Sequence, residues 1–138
     1  MTKEDKELLL KDLCTRLPYN VEVHIKGEYK TPRTIYAVHI EDKTIGYFKG
    51  LNYNEELIEN VKPYLRPMSS MTQEECEELS KLKPIYDEVE SWKYIKTPVP
   101  LYIANIKQFD FFNSHYLDWR GLIPKGLALE APKNMYKF

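Results

Sequence analysis

The tightest set of chemically able side chains in this chain is His115, Asp118 and Arg120, inside the run FDFFNSHYLDWRGLIPKGLALEAP from Phe109 to Pro132. His115 and Asp118 stand three positions apart and can share one face of the helix read there. A carboxylate so placed would orient the imidazole and raise its pKa, which is the orienting half of an acid/base site. Arg120, beyond the helix end, could pair with Asp118 or hold an anion. No nucleophile in a recognisable motif accompanies them. The alternative reading is a polar network that locks the end of the helix to the tail.

A second set lies in the loop Arg66-Pro67-Met68-Ser69-Ser70-Met71, just ahead of a helix start at Thr72. Backbone N–H groups at a helix start attract anions, and Arg66, Ser69 and Ser70 would add donors. The loop has no glycine, although phosphate-cradling loops depend on close backbone approach. Its other reading is a rigid loop that docks its methionines on the core. The three histidines, His24, His39 and His115, have none of the spacings used by metal sites, so neither a metal nor a cofactor is expected. No dinucleotide, Walker, GxSxG or kinase pattern occurs. Tyr47, Phe48, Tyr53, Tyr64 and Arg66 could form an aromatic and basic surface of the kind that binds single strands.

The elements that must position these residues follow from period and punctuation. Thr2 with Asp5 caps a helix of about fifteen residues, whose stripe is Leu9, Leu13 and Leu17 with Leu10 and Cys14 beside it, ended by Pro18. Val21, Val23 and Ile25 alternate with Glu22, His24 and Lys26 as a half-buried strand. A second strand runs from Arg33 to Glu41 and a third from Thr44 to Lys49, joined by a tight turn at Asp42-Lys43. That turn pairs Ile40 with Ile45 and Val38 with Tyr47, and the first helix covers the face bearing Tyr36, Val38 and Ile40. In this register His24 stands opposite Ile35, with His39 two rungs away.

Asn54 to Asn60 reads as a short helix and Leu57 to Leu65, equally, as a fourth strand. Thr72 with Glu75 is a capping box for a helix reaching about Leu82. Residues 85–95 fit helix or strand. The last helix is expected from about Leu101 to Asp118, with Ile106, Phe109, Phe112, Tyr116 and Trp119 as its stripe and Gly121 at its left-handed end.

Acids (21) and Lys plus Arg (20) nearly cancel over 138 residues, so no field of one sign favours diffuse capture of nucleic acid. An apolar share of 43% fits one globular domain spanning residues 1–138. Cys14 and Cys76 read as free thiols. No run approaches the length of a membrane span, and the N-terminal leucines are too few for a signal peptide, so the expected address is the cytoplasm.

KPYLRPMSSMTQEE (Lys62 to Glu75) and the run from Phe109 to Pro132, with the opening KEDKELLLKDLCTRLPYNVEV (Lys3 to Val23), are similar to a family of small uncharacterised proteins carried by prophages and other mobile elements of gut bacteria. The resemblance covers most of the chain. It implies a cytoplasmic accessory protein and transfers no functional residue.

The expectation is an α+β fold in which a small antiparallel sheet of three or more strands packs against an N-terminal helix and a C-terminal aromatic helix. The expected function is non-enzymatic binding of a protein partner, through Tyr64, Arg66, Ser69, Ser70, Asp118, Trp119 and Arg120. The alternatives are a small hydrolase-like enzyme using His115 and Asp118, and a nucleic-acid-binding accessory protein.

Overall fold

The structure, a computed structural model, describes residues 1–28, 31–82 and 106–136. The fold is α+β. Helix α1 (Lys3–Arg16) is closed at its start by a reciprocal capping box between Thr2 and Asp5, as the sequence predicts. Strands β1 (Glu22–Ile25), β2 (Arg33–His39), β3 (Thr44–Lys49), β4 (Asn52–Leu57), β5 (Val61–Leu65) and β6 (Leu129–Glu130) form one six-stranded sheet in the order β4-β3-β2-β1-β5-β6. All neighbours are antiparallel except β5 and β6, which run parallel. Helices α2 (Gln73–Ser80) and α3 (Ile106–Ser114) are the other α-helices among the described residues.

Leu9 and Leu13 of α1 bury against one face of the sheet, where Val21, Val23, Ile25, Ile35, Ile45, Ile58, Val61 and Leu65 form the main core with Leu122 and Leu127 of the tail. A second core joins Met68, Met71, Cys76 and Leu79 to Phe111, Phe112, Leu117 and Trp119. The loop methionines therefore do dock inward, as one reading of that loop expects. The thiols of Cys14 and Cys76 are free.

The register of β2 differs from the expected one. The strand is bulged, so that Ile35 pairs with Tyr47 while Ala37 pairs with Gly46, and Tyr36 is the extra residue. Beyond the bulge Val38 pairs with Ile45, and four residues, Ile40 to Lys43, make the turn, with Lys43 at φ 54°. Ile35 and Val38 consequently face α1, while Tyr36 and Ile40 stand in solvent. β1 is also shifted: Glu22 lies opposite Thr34, and His24 pairs with Lys62 of β5 rather than with Ile35. The helix expected over Asn54 to Asn60 is not formed, and the strand expected over Leu57 to Leu65 is present only in its second half. Asn52 to Leu57 is the edge strand β4, a short 3-10 turn follows at Ile58–Asn60, and β5 begins at Val61.

The aromatic helix ends earlier than its composition suggests. Tyr116, at φ 60°, takes the left-handed position. The Leu117 N–H donates to Phe112 O at 2.9 Å and the Tyr116 N–H to Asn113 O at 3.2 Å, the paired bonds of a Schellman closure. Leu117 packs with Phe112 in the second core, which is the apolar contact that accompanies such an end. Ile106, expected on the buried stripe, is exposed. Tyr116 and Trp119 lie past the helix rather than on it. Helix α2 carries the expected Thr72/Glu75 capping box and ends at Ser80, short of Leu82. The helix-or-strand reading of residues 85–95, and the expected helix start at Leu101, lie outside the described residues.

Candidate functional site

The structure brings the two singled-out segments together. Leu117 bridges Arg66 in parallel: the Arg66 N–H donates to Tyr116 O at 2.7 Å and the Asp118 N–H to Arg66 O at 2.8 Å. The end of β5 and the tail are thus one joint, and most of its polar side chains turn inward to hold it.

Asp118 is buried. Its carboxylate accepts the N–H of Leu122 at 2.7 Å and of Ile123 at 2.9 Å, which fixes the turn that carries Leu122 into the core. Burial raises its pKa against the pull of those two amides. His115 does not meet it. The ring Nδ1 of His115 lies 2.8 Å from Glu75 Oε2, and its face stacks on Phe111 at 4.0 Å. The expected His115/Asp118 pair is therefore not formed, because the helix stops at Ser114 and the left-handed Tyr116 turns Asp118 off His115's face.

Trp119 is buried too. It donates its indole N–H to Asn113 Oδ1 at 2.8 Å, packs edge-on to Phe109 and carries the Arg120 guanidinium over its ring at 4.1 Å. Trp119→Ala is expected to cost about 3–5 kcal/mol, the usual range for a buried large aromatic. A shift of the urea midpoint at unchanged slope checks it, and a loss below about 1 kcal/mol would mean the ring is dispensable to the fold.

Arg66 makes a bidentate pair with Glu75, Nη1 to Oε2 at 2.8 Å and Nη2 to Oε1 at 2.7 Å, and also reaches His115 O and Ser70 O. Glu75 Oε1 accepts the Thr72 N–H at 3.0 Å as well, so one carboxylate caps α2 and ties β5 to the end of α3. Burial pushes this carboxyl up, but Arg66, His115 and the Thr72 amide outweigh it and hold it below the usual glutamate range. Arg66, Ser70, Thr72 and Glu75 form one wall of a cleft of about 570 Å³, opposite Glu130 to Asn134 and Tyr136. An anion entering that cleft meets an arginine already matched by a carboxylate. Ser69 and Ser70 are exposed, with the Ser70 hydroxyl donating to Pro67 O at 2.6 Å. Tyr64 is half-buried, and its carbonyl accepts the Tyr136 hydroxyl at 2.7 Å.

Sequence reasoning missed the partner of Arg120. Arg120 Nε lies 3.2 Å from Asp12 Oδ1, not against Asp118. Asp12 is fully buried in α1 and already holds Arg16, with Nε to Oδ2 at 2.8 Å and Nη2 to Oδ1 at 3.2 Å. Arg16, also fully buried, donates through Nη2 to Leu117 O at 2.7 Å and so pins α1 to the tail. The signal was present: Asp12 and Arg16 sit three positions after Leu9 and Leu13, within the apolar stripe.

The other feature unforeseen in its place is the outer face of β2, β3 and β4. Tyr36, Phe48 and Tyr53 are 63%, 44% and 43% exposed and meet one another edge-on, with ring centroids 4.9, 5.5 and 6.3 Å apart. Tyr53 lies across Gly46, where an added Cβ would fall on its hydroxyl and 2.6 Å from Cζ. His39 Nε2 holds the same hydroxyl at 2.7 Å and lies 2.9 Å from Glu55. Tyr47, grouped with these rings in the sequence reading, faces the core instead, and Tyr64 belongs to β5.

Among the described residues no group of three His, Cys, Asp or Glu side chains could hold a metal ion, and no helix is long and apolar enough to cross a membrane. No family model, no curated protein and no solved structure matches the chain, so the chemistry of these sites is read from their geometry alone.

Proposed function

We propose that this chain is a non-enzymatic binding protein that docks a protein partner on the outer face of β2, β3 and β4. The observation that carries this reading is the cluster of Tyr36, Phe48 and Tyr53, three large rings left in solvent on one sheet face. Contiguous apolar surface of this kind marks contact sites, and aromatic anchors dominate their energetics. Tyr53 is held in advance by His39 and by the absence of a side chain at Gly46, so little ordering remains to be done on binding.

The charges around the rings favour a protein over a nucleic acid. Alternation turns Arg33 and Lys49 to the opposite side, where both bind Glu28, and leaves Glu55 and His39 beside the rings. Phosphate capture needs cations at that place. The joint of Arg66, Asp118, Trp119 and Arg120 becomes the scaffold of the protein rather than its contact surface. The work of an accessory factor of a mobile element, carried out in the cytoplasm, is the setting in which we place this function.

The test is a Tyr36→Ala, Phe48→Ala double variant used as bait against host and phage proteins, alongside Gly46→Ala, which displaces Tyr53 without removing a ring. Each anchor ring should contribute about 2 kcal/mol, roughly thirtyfold in Kd. Both baits should lose the partner while circular dichroism and thermal midpoint stay near those of the unaltered protein. A partner retained equally by all three baits would show that the aromatic face is not the contact surface.

A further inference from the structure

Helix α1 has a second working face. Glu7, Leu10, Lys11, Cys14 and Thr15 line a groove of about 460 Å³ that is completed by Ile40, from the turn between β2 and β3, and by Arg120. That volume lies within the usual span of small-molecule sites, roughly 300–1,000 Å³, and the wall is of the usual kind, apolar with few polar groups. Leu10, Cys14 and Ile40 supply the apolar surface. Ile40 is 65% exposed and forms a lip, an isoleucine that contributes little to the core.

The polar end of the groove is the Arg120 guanidinium. Arg16 takes both oxygens of the Asp12 carboxylate, and Arg120 must share one of them. Two guanidinium groups thus sit on one carboxylate. Arg120 Nε is buried yet makes no in-line hydrogen bond, despite its 3.2 Å approach to Asp12. Asp118, the other buried acid of the tail, gives its oxygens to the amides of Leu122 and Ile123. Lys11 adds a second cation to the groove wall, and Glu7, one turn earlier, is its single acid. A neutral apolar ligand would cover Arg120 without satisfying it, and a cationic one would repel it.

We propose that this groove binds a small amphipathic carboxylate of the medium-chain fatty acid type, its tail along Leu10, Cys14 and Ile40 and its carboxylate on Arg120. A planar carboxylate matches the guanidinium fork. The site is separate from the outer sheet face, and neither reading depends on the other.

Cys14 provides the assay, because Cys76 is fully buried and only Cys14 is open to a thiol reagent. Decanoate should protect Cys14 from a disulfide reagent in a saturable manner, while acetate, which lacks the tail, should not. Decanol, which lacks the charge, should require about tenfold more ligand or worse, the factor that one charge-assisted hydrogen bond contributes. Ile40→Glu sets a like charge at the lip of the groove without disturbing the core, and should raise the half-protecting decanoate concentration by a similar factor of about ten. Amide shifts of Leu10, Lys11, Cys14 and Ile40 on titration give a second reading that does not depend on thiol reactivity. No protection and no amide shifts with decanoate, or equal affinity in Ile40→Glu, overturns the site. Equal protection by decanol overturns the role of Arg120.

Discussion

Arg16→Ala should remove about 3–5 kcal/mol of stability, the cost of leaving one partner of a buried ion pair uncompensated. For a domain whose total is usually about 5–15 kcal/mol, that is roughly a fifth of the stability or more. The size follows from what the truncation strands. Asp12 is fully buried and would lose both of its short bonds to Arg16, keeping only Arg120 at 3.2 Å. The Leu117 carbonyl would lose the Arg16 Nη2 that now donates to it, which unfastens the tail from α1. Replacing both members, Asp12→Leu with Arg16→Met, should recover only the part due to the stranded Asp12 charge, since the Leu117 carbonyl and Arg120 would still lose their partners. Urea midpoints for the two single variants and the double give the coupling directly. Loss below about 1 kcal/mol in Arg16→Ala would mean that water reaches the pair, and the account of it as the fastener of the tail would fail.

The same residues show why the sequence spoke clearly in some places and not in others. The cap at Thr2 and the Leu9/Leu13 stripe are local signals, fixed by helical geometry alone, and they are read correctly. Asp12 and Arg16 stand on that stripe, but opposite charges four apart are the commonest decoration of an exposed helix. Only the tail that covers them, a hundred residues later, makes them buried. The capping box at Thr72 was equally legible. That its Glu75 also receives Arg66 and His115 was not, because those partners come from two other elements.

β2 departs from its expected register for a different reason. Ile35, Tyr36, Ala37 and Val38 are apolar in succession, so the period is ambiguous and a single bulged residue exchanges the two faces. That exchange is what left Tyr36 in solvent beside Phe48 and Tyr53. β4 carries little apolar alternation because it is the edge of the sheet, and its sequence NYNEEL resembles a capped polar turn. At the end of α3, Gly121 drew the helix terminus toward itself. Tyr116 takes the left-handed position instead, and its contacts stabilise a conformation that costs a non-glycine residue of order 1 kcal/mol. Its ring stacks on Tyr136 at 3.6 Å and its hydroxyl donates to the Tyr19 carbonyl. Neither partner is near in sequence.

The second large effect is expected at Glu75. Glu75→Gln keeps the shape of the side chain and an oxygen for the Thr72 N–H, so the cap of α2 survives while the charge that meets Arg66 and His115 disappears. Arg66 would be left with a neutral acceptor where it now has a bidentate carboxylate. The expected loss at neutral pH is about 2–3 kcal/mol, below the full cost of an orphaned buried charge because Arg66 is itself partly exposed. The pH dependence identifies the cause. The folded-state pKa of Glu75 is held below its ordinary value of about 4.3, so the ionised group stabilises the fold above that pH, and the stabilisation is lost as pH falls toward the folded pKa. Asp118 has the opposite sign: burial raises its pKa, so protonation relieves the folded state as the solution becomes acid. Asp118 is present in both proteins and cancels in their difference. The gap between the original protein and Glu75→Gln should therefore still be present at about pH 5 and close progressively below about 4. Denaturation midpoints at a series of pH values measure it. A gap that stayed unchanged to pH 3 would mean that Glu75 works through shape and hydrogen bonding rather than through its charge, and the joint between β5, α2 and α3 would have to be held by other means.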